Sequence, residues 1–476
     1  MNCWNNLQRS GWAYPTLVLC VYGFFTMMRP GEPFLTPYLI GTSKNLTIQQ
    51  VSRQVYPVWT YTNFLLLIPI FLMTDYLRYK PVIVLQGLGY VVCWLLLLFG
   101  PGVEASQFAV FSYGIATASE VGYFSYIYSV VSLEHYQKVT SYCRSTTLVG
   151  YAVGSVLGQL LVSLGNVSFY CLNIITVISL AIAFFISFLL PMPQRSLLFH
   201  ENHLATNNSI DIVPAVPLDS GNVSSSCIIS DERKRDRSSF LNGIYQLWVD
   251  CKECYSSRKL IPFSLWWAMG TCGYYQVISY VQVLWSLKQP SENFTIYNGG
   301  VDAFATFSGA AVSFAVGHIS FSWSIWGELM LGLFSAVSAS AVYLMDLTAD
   351  IWVCYTCYVV FKSSYMQLIT ICTFQIAKTL SKERYALIFG INTFVAVTLQ
   401  SILTAIVINT KSLHLTITSQ YFVYGTYFAA VALVFLTRGI YSVFYVKCRM
   451  AEENITGDTI SERNTTIPQS AHLDMY

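Results

Sequence analysis

Charge is what this sequence has least of. Only 11% of its 476 residues are Asp, Glu, Lys or Arg, against ~25% in a typical soluble domain. The 26 basic and 24 acidic residues leave a net charge of +2. So weak a field excludes nucleic acid and strongly acidic macromolecules as partners. Hydrophobic residues make up 54% and aromatic ones 16%, more apolar surface than a soluble core of this length could hide. The lipid bilayer is the partner this composition expects.

Catalytic signatures are missing too. There is no G-x-x-x-x-G-K phosphate loop, and His200-Glu201-Asn202-His203 fails the H-E-x-x-H spacing. Neither ATP-driven transport on this chain nor hydrolytic metal chemistry is supported; the chain reads as no enzyme, with no cofactor. The 13 cysteines lie mostly in apolar stretches, as do Cys93, Cys171, Cys272 and Cys372, where Cys behaves as a small hydrophobe rather than a disulfide framework. Cys251 with Cys254, and Cys354 with Cys357, are isolated C-x-x-C pairs, short of the four ligands of structural zinc. No metal site is expected. A cleavable leader is not evident either, because the apolar run Leu17–Met28 meets Arg29 and Pro30 instead of small residues.

Long apolar runs are abundant. A ~30 Å hydrocarbon core needs about 20 apolar residues per helix. Segments that qualify lie near 13–40, 56–75, 81–100, 106–131, 139–165 and 168–191, then near 260–286, 297–320, 323–345, 350–378, 384–409 and 419–446. The expectation is an all-α polytopic membrane protein of twelve transmembrane helices in two six-helix halves, 1–191 and 259–447. A Ser- and Asn-rich loop, 192–258, joins them and carries the charged run Asp231–Arg237, and a tail follows at 448–476. This is the major facilitator superfamily type of architecture. Arg78, Lys80, Arg233–Arg237, Lys378, Lys382, Arg384, Lys447 and Arg449 fall on one side of such a bundle. By the positive-inside rule that side, with both termini and the loop, is cytoplasmic. Glycosylation sequons at Asn45, Asn166 and Asn293 then face outward.

A charge near the bilayer centre costs at least ~2.5–3.5 kcal/mol, so it is usually paired or lines a cavity. The candidates are Arg29, Glu32, Glu120 and Arg144, then Asp302, Glu328 and Lys362. Glu120 follows Tyr113 by two turns with Thr117 between them, so all three share one helix face, and Tyr56 with Trp59 offers a second aromatic surface. Aromatic faces beside a carboxylate suit an organic cation, each face being worth ~0.5–2 kcal/mol.

Several stretches carry a resemblance. Gly31–Leu39, Tyr56–Tyr61, Thr74–Pro81, Tyr126–Val131, Ser264–Ala268, Ile296–Gly300, Glu383–Leu387 and Gly390–Phe394 are similar to the reduced folate and thiamine carrier family, and most similar to its thiamine members. Folate carriers have arginine where this chain has Glu120 and lysine where it has Gln400. The resemblance implies uptake of a small cationic vitamin at the plasma membrane by alternating access. It also implies substrate contacts at Glu32, Tyr56, Trp59, Tyr113, Glu120, Tyr151, Ser279, Asp302 and Tyr385. Thiamine members carry glutamate, asparagine and glutamate where this chain has Val110, Ser279 and Asp302. Another vitamin or organic cation, an anion exchanger of the folate type and a ligand-sensing receptor remain alternatives.

Overall fold

The computed structural model describes residues 12–131, 136–192, 245, 248–249, 251–257, 259–289, 296–318, 323–379, 385–409 and 415–465. Most of the expected loop, including its charged run, lies outside the described residues, as do Asn293, Lys382 and Arg384. So does the side chain of Tyr385.

The structure is helical. In chain order the principal helices are α1 (Ala13–Met27), α2 (Leu35–Ile40), α3 (Tyr56–Tyr76), α4 (Lys80–Phe99), α5 (Gly102–Ala118), α6 (Glu120–Val130), α7 (Tyr136–Ser163) and α8 (Phe169–Phe188). They continue with α9 (Ile261–Lys288), α10 (Asn298–His318), α11 (Trp323–Leu347), α12 (Ile351–Thr379), α13 (Tyr385–Thr404) and α14 (Ile417–Thr465). Among the described residues, 8 helices are long and apolar enough to cross a membrane. Lipid offers no hydrogen bonds, so spanning backbone must satisfy itself, and helices do so.

The expected first span, 13–40, is not one helix. Pro30 and Pro33 lack the N–H that would continue the ladder, and their rings clash with the preceding turn. The chain leaves helical geometry after Met27 and resumes through a 3-10 turn, Glu32–Phe34, into α2. Side chains of α8 satisfy the freed backbone. Thr176 accepts from the Gly31 N–H at 3.0 Å, and Ser179 donates to the Phe25 carbonyl at 2.8 Å.

The expected span 106–131 is interrupted as well, between α5 and α6 at Ser119. Ser119 keeps helical dihedrals of −74° and −9°, and its N–H and hydroxyl both donate to the Ile115 carbonyl, at 3.0 and 2.8 Å. Glu120 is the first residue of α6.

Close helix packing rests on missing side chains. A Cβ at Gly154 of α7 would lie 2.7 Å from the Arg29 nitrogen, and one at Gly158 would lie 2.5 Å from the Pro30 carbonyl oxygen. Gly150 abuts Phe24 in the same way. This G-x-x-x-G-x-x-x-G row lets α7 lie backbone to backbone against the interrupted first helix.

One structural device occurs twice. Lys44, between α2 and α3, donates to the Gly100 carbonyl that ends α4. Lys288, at the end of α9, donates to the carbonyls of Asp346 (3.0 Å) and Thr348, which end α11. In each case a lysine meets the negative end of a helix.

Candidate substrate cavity

Three of the four carboxylates singled out in the membrane segments are neutralised by a neighbouring cation. Glu32 pairs with Arg29 at 3.1 Å, Asp302 with Lys362 at 3.0 Å, and Glu328 with Arg438 at 3.1 Å. Taking a charge out of water is costly, and pairing within hydrogen-bond distance offsets that cost. Glu328 and Arg438 join α11 to α14 and belong to packing.

The Arg29–Glu32 pair sits in an aromatic box. The Arg29 guanidinium lies 4.9 Å from the Tyr90 ring centroid, 5.6 Å from Tyr113 and 5.8 Å from Trp94. Tyr113 donates to Glu32 Oε1 at 2.9 Å and accepts from Arg29 Nη1 at 3.4 Å. Trp59 packs edge-on against Tyr113 and Tyr275 at 6.4 and 6.1 Å, and its indole N–H donates to Thr117 Oγ1 at 3.1 Å. Tyr56 bonds the Thr36 hydroxyl and meets Tyr280 at 6.0 Å. Glu32, Tyr113 and Trp59 are thus brought together, with Tyr56 linked to the same 32–36 segment. The cation–π geometry expected for a ligand exists, with Arg29 in its focus.

Asp302 forms a second group. Its Oδ1 accepts from Lys362 and from the Tyr358 hydroxyl at 2.7 Å. The Lys362 ammonium also stands 5.0 Å from the Tyr151 ring centroid, which ties α12 to α7. Ser279 turns its hydroxyl inward to the Tyr275 carbonyl at 2.6 Å. Val110 is buried in the apolar core.

Glu120 differs from the other three. It is half-buried and makes no hydrogen bond or ion pair with any described residue; Arg29 and Arg144 act on it only at longer range. It lines a cavity of about 10 Å³ with Tyr22, Gly23, Thr26, Met27, Gln86, Tyr123 and Thr147, room for roughly one water. Its charge is felt at Tyr90 and Tyr275, rings that pack on Tyr113 and Trp59, so it stands near the aromatic box.

Sequence reasoning missed some of the site. Gln282 of α9 donates to the Glu32 carbonyl at 3.1 Å and accepts from the Thr36 N–H at 3.2 Å. Tyr274 stacks on Tyr365 at 3.8 Å and 8°. A neutral amide carries no sequence signal, whereas the adjacent pair Tyr274-Tyr275 in an apolar helix could have been noticed. Among the described residues, no group of His, Cys, Asp and Glu could hold a metal ion.

The sequence profile described as Reduced folate carrier matches residues 10–423. Thiamine transporter 2 of Homo sapiens is 49% identical over 465 residues, covering 94% of each chain. Thiamine transporter 1 of Homo sapiens is 51% identical, covering 94% of this chain and 93% of the relative. The reduced folate transporter of Homo sapiens is more distant at 38%, covering 89% and 71%. Among solved structures, a POT family transporter aligns at TM-score 0.58 and 11% identity, covering 90% of this chain and 96% of the other. A nucleoside transporter, NupG, aligns at TM-score 0.57 and 12% identity, covering 90% and 99%. At such identities the likeness is one of fold.

Proposed function

The chain belongs to the reduced folate carrier family, and from that premise we propose that it carries thiamine across the plasma membrane. The bundle would comprise twelve spans in two halves, 1–191 and 259–447, tethered by 192–258, with a tail at 448–476. Both termini would be cytoplasmic, and Asn45, Asn166 and Asn293 would face outward. Transport would proceed by alternating access, with the two halves rocking about a central site.

One observation carries the preference for a cation. Glu32, Asp302 and Glu328 are each paired with a basic side chain, while Glu120 contacts none. A half-buried carboxylate without a contact partner attracts a cation and repels an anion. The thiazolium of thiamine would supply the charge, and Trp59, Tyr113 and Tyr56 the faces on which its rings pack. Tyr151, Ser279, Asp302 and Tyr385 would line the opposite side. The cavity beside Glu120 holds about 10 Å³, so substrate would enter only when helices around α1 and α6 part.

Uptake of labelled thiamine and labelled folate into cells expressing the chain tests this reading. Thiamine uptake should saturate and folate uptake should stay at background. Glu120→Gln keeps the shape and removes the charge, so thiamine uptake should fall at least about tenfold, equivalent to ~1.4 kcal/mol. Normal uptake by Glu120→Gln at normal surface expression would discard the role given to Glu120. Folate uptake above thiamine uptake would discard the substrate class.

A further inference from the structure

Two thiols meet where the first helix packs on α7. Cys20 Sγ lies 3.8 Å from Cys143 Sγ. Cys20 is half-buried and Cys143 is buried. Nothing in the transport reading uses either. We propose that Cys20 and Cys143 are a peroxide-sensitive dithiol that closes to a disulfide and slows transport.

The chemistry balances with hydrogen peroxide as oxidant. The Cys20 sulfur, the more exposed, attacks one peroxide oxygen; the O–O bond breaks, leaving a sulfenic acid and water. The Cys143 sulfur then attacks the sulfenic sulfur, the S–S bond forms, and a second water leaves. The two thiols lose two protons and two electrons, and the peroxide is reduced to two waters. Both sulfurs are already in contact, so no helix need unfold for the second step.

The consequence for transport follows from the packing around the pair. Closing the bond brings the sulfurs from 3.8 Å to about 2.05 Å. The two helices have almost no slack there. One turn on, a Cβ at Gly23 would lie 2.9 Å from the Thr147 methyl, and Gly150 and Gly154 already touch the backbone at Phe24 and Arg29. Cross-linking therefore fixes α1 to α7 immediately before the interruption that carries Arg29 and Glu32. It also draws together Gly23 and Thr147, two walls of the cavity that Glu120 lines. Slowed uptake rests on the transport reading; the dithiol does not.

Thiol mapping of the purified full-length chain in lipid nanodiscs tests the dithiol without any substrate. Hydrogen peroxide should remove Cys20 and Cys143 from alkylation together and yield one cross-linked peptide that dithiothreitol releases. Cys20→Ser should leave Cys143 alkylatable. In cells, peroxide should lower thiamine uptake several-fold and dithiothreitol should restore it, while Cys20→Ser and Cys143→Ser should keep their uptake. Absence of the cross-linked peptide overturns the dithiol. Its presence with uptake unchanged, or equal inhibition of Cys20→Ser, overturns the link to transport.

Discussion

At the scale of single residues, three of the four carboxylates singled out in the membrane segments pair with a cation, and Glu120 contacts none among the described residues. Asp302 and Lys362 are 6% and 5% exposed, so each depends on the other. Lys362→Met leaves an uncompensated carboxylate, which costs ~3–5 kcal/mol when the pair is buried. Its melting temperature should fall by several degrees, whereas Lys362→Met with Asp302→Asn should recover most of the loss. A double variant no more stable than the single one would mean the pair is not a structural unit. The sequence exposed these residues, since ionisable side chains stand out in apolar runs, but it did not show which of them pair. Asp302 and Lys362 are 60 residues apart, and only the crossing of α10 and α12 joins them. Arg29 and Glu32, three apart, were within reach of a sequence argument. What hid their pairing was the interruption at Pro30.

At the scale of elements, the apolar runs placed the helices well, because the ~30 Å apolar slab imposes a length that sequence shows directly. Interruptions were harder. Pro30 and Pro33 announce the break after Met27, whereas the one at Ser119 falls in a run with no proline in it. Packing between elements was least legible of all. The row Gly150, Gly154, Gly158 was visible, yet nothing in sequence said that it faces the broken first helix. That contact makes its own prediction. Gly154→Ala places a methyl 2.7 Å from the Arg29 nitrogen and 3.2 Å from the Met28 carbonyl carbon, and backbone does not yield as a side chain would. Overpacking of this kind costs ~1–3 kcal/mol. The melting temperature should drop and surface expression should fall, while Val153→Ala on the exposed side of the same helix should stay near wild type. A Gly154→Ala protein as stable as Val153→Ala would show that α1 and α7 separate without penalty.

At the scale of the whole molecule, Lys44 and Lys288 meet the ends of α4 and α11 in the same way. Residues of 1–191 and 259–447 meet through aromatic contacts such as Trp59–Tyr275 and Phe64–Phe394 and through hydrogen bonds of neutral amides. Gln159 of α7 donates to the Ile296 carbonyl at 2.8 Å and accepts from the Gly300 N–H at 3.0 Å. Asn298 donates to the Pro33 carbonyl at 3.2 Å, and Gln282 clasps the backbone of residues 32 and 36. Each of these amide bonds costs ~0.6–2 kcal/mol to part in a membrane protein; Arg53, which donates to the Leu415 carbonyl at 3.1 Å, adds a charged contact. Under the alternating access proposed above, these contacts would part once in each cycle. A Cβ at Gly300 would lie 3.5 Å from Gln159 Cγ, the place a cysteine sulfur at 159 would take, so cysteines at the two positions would face each other. Gln159→Cys with Gly300→Cys, in a Cys20→Ser background, should therefore cross-link under mild oxidant. Thiamine uptake should fall to background on oxidation and return with dithiothreitol, and either single cysteine should be insensitive. Full uptake by the cross-linked protein would mean that α7 and α10 stay joined throughout the cycle, and the parting would have to be sought elsewhere among these contacts.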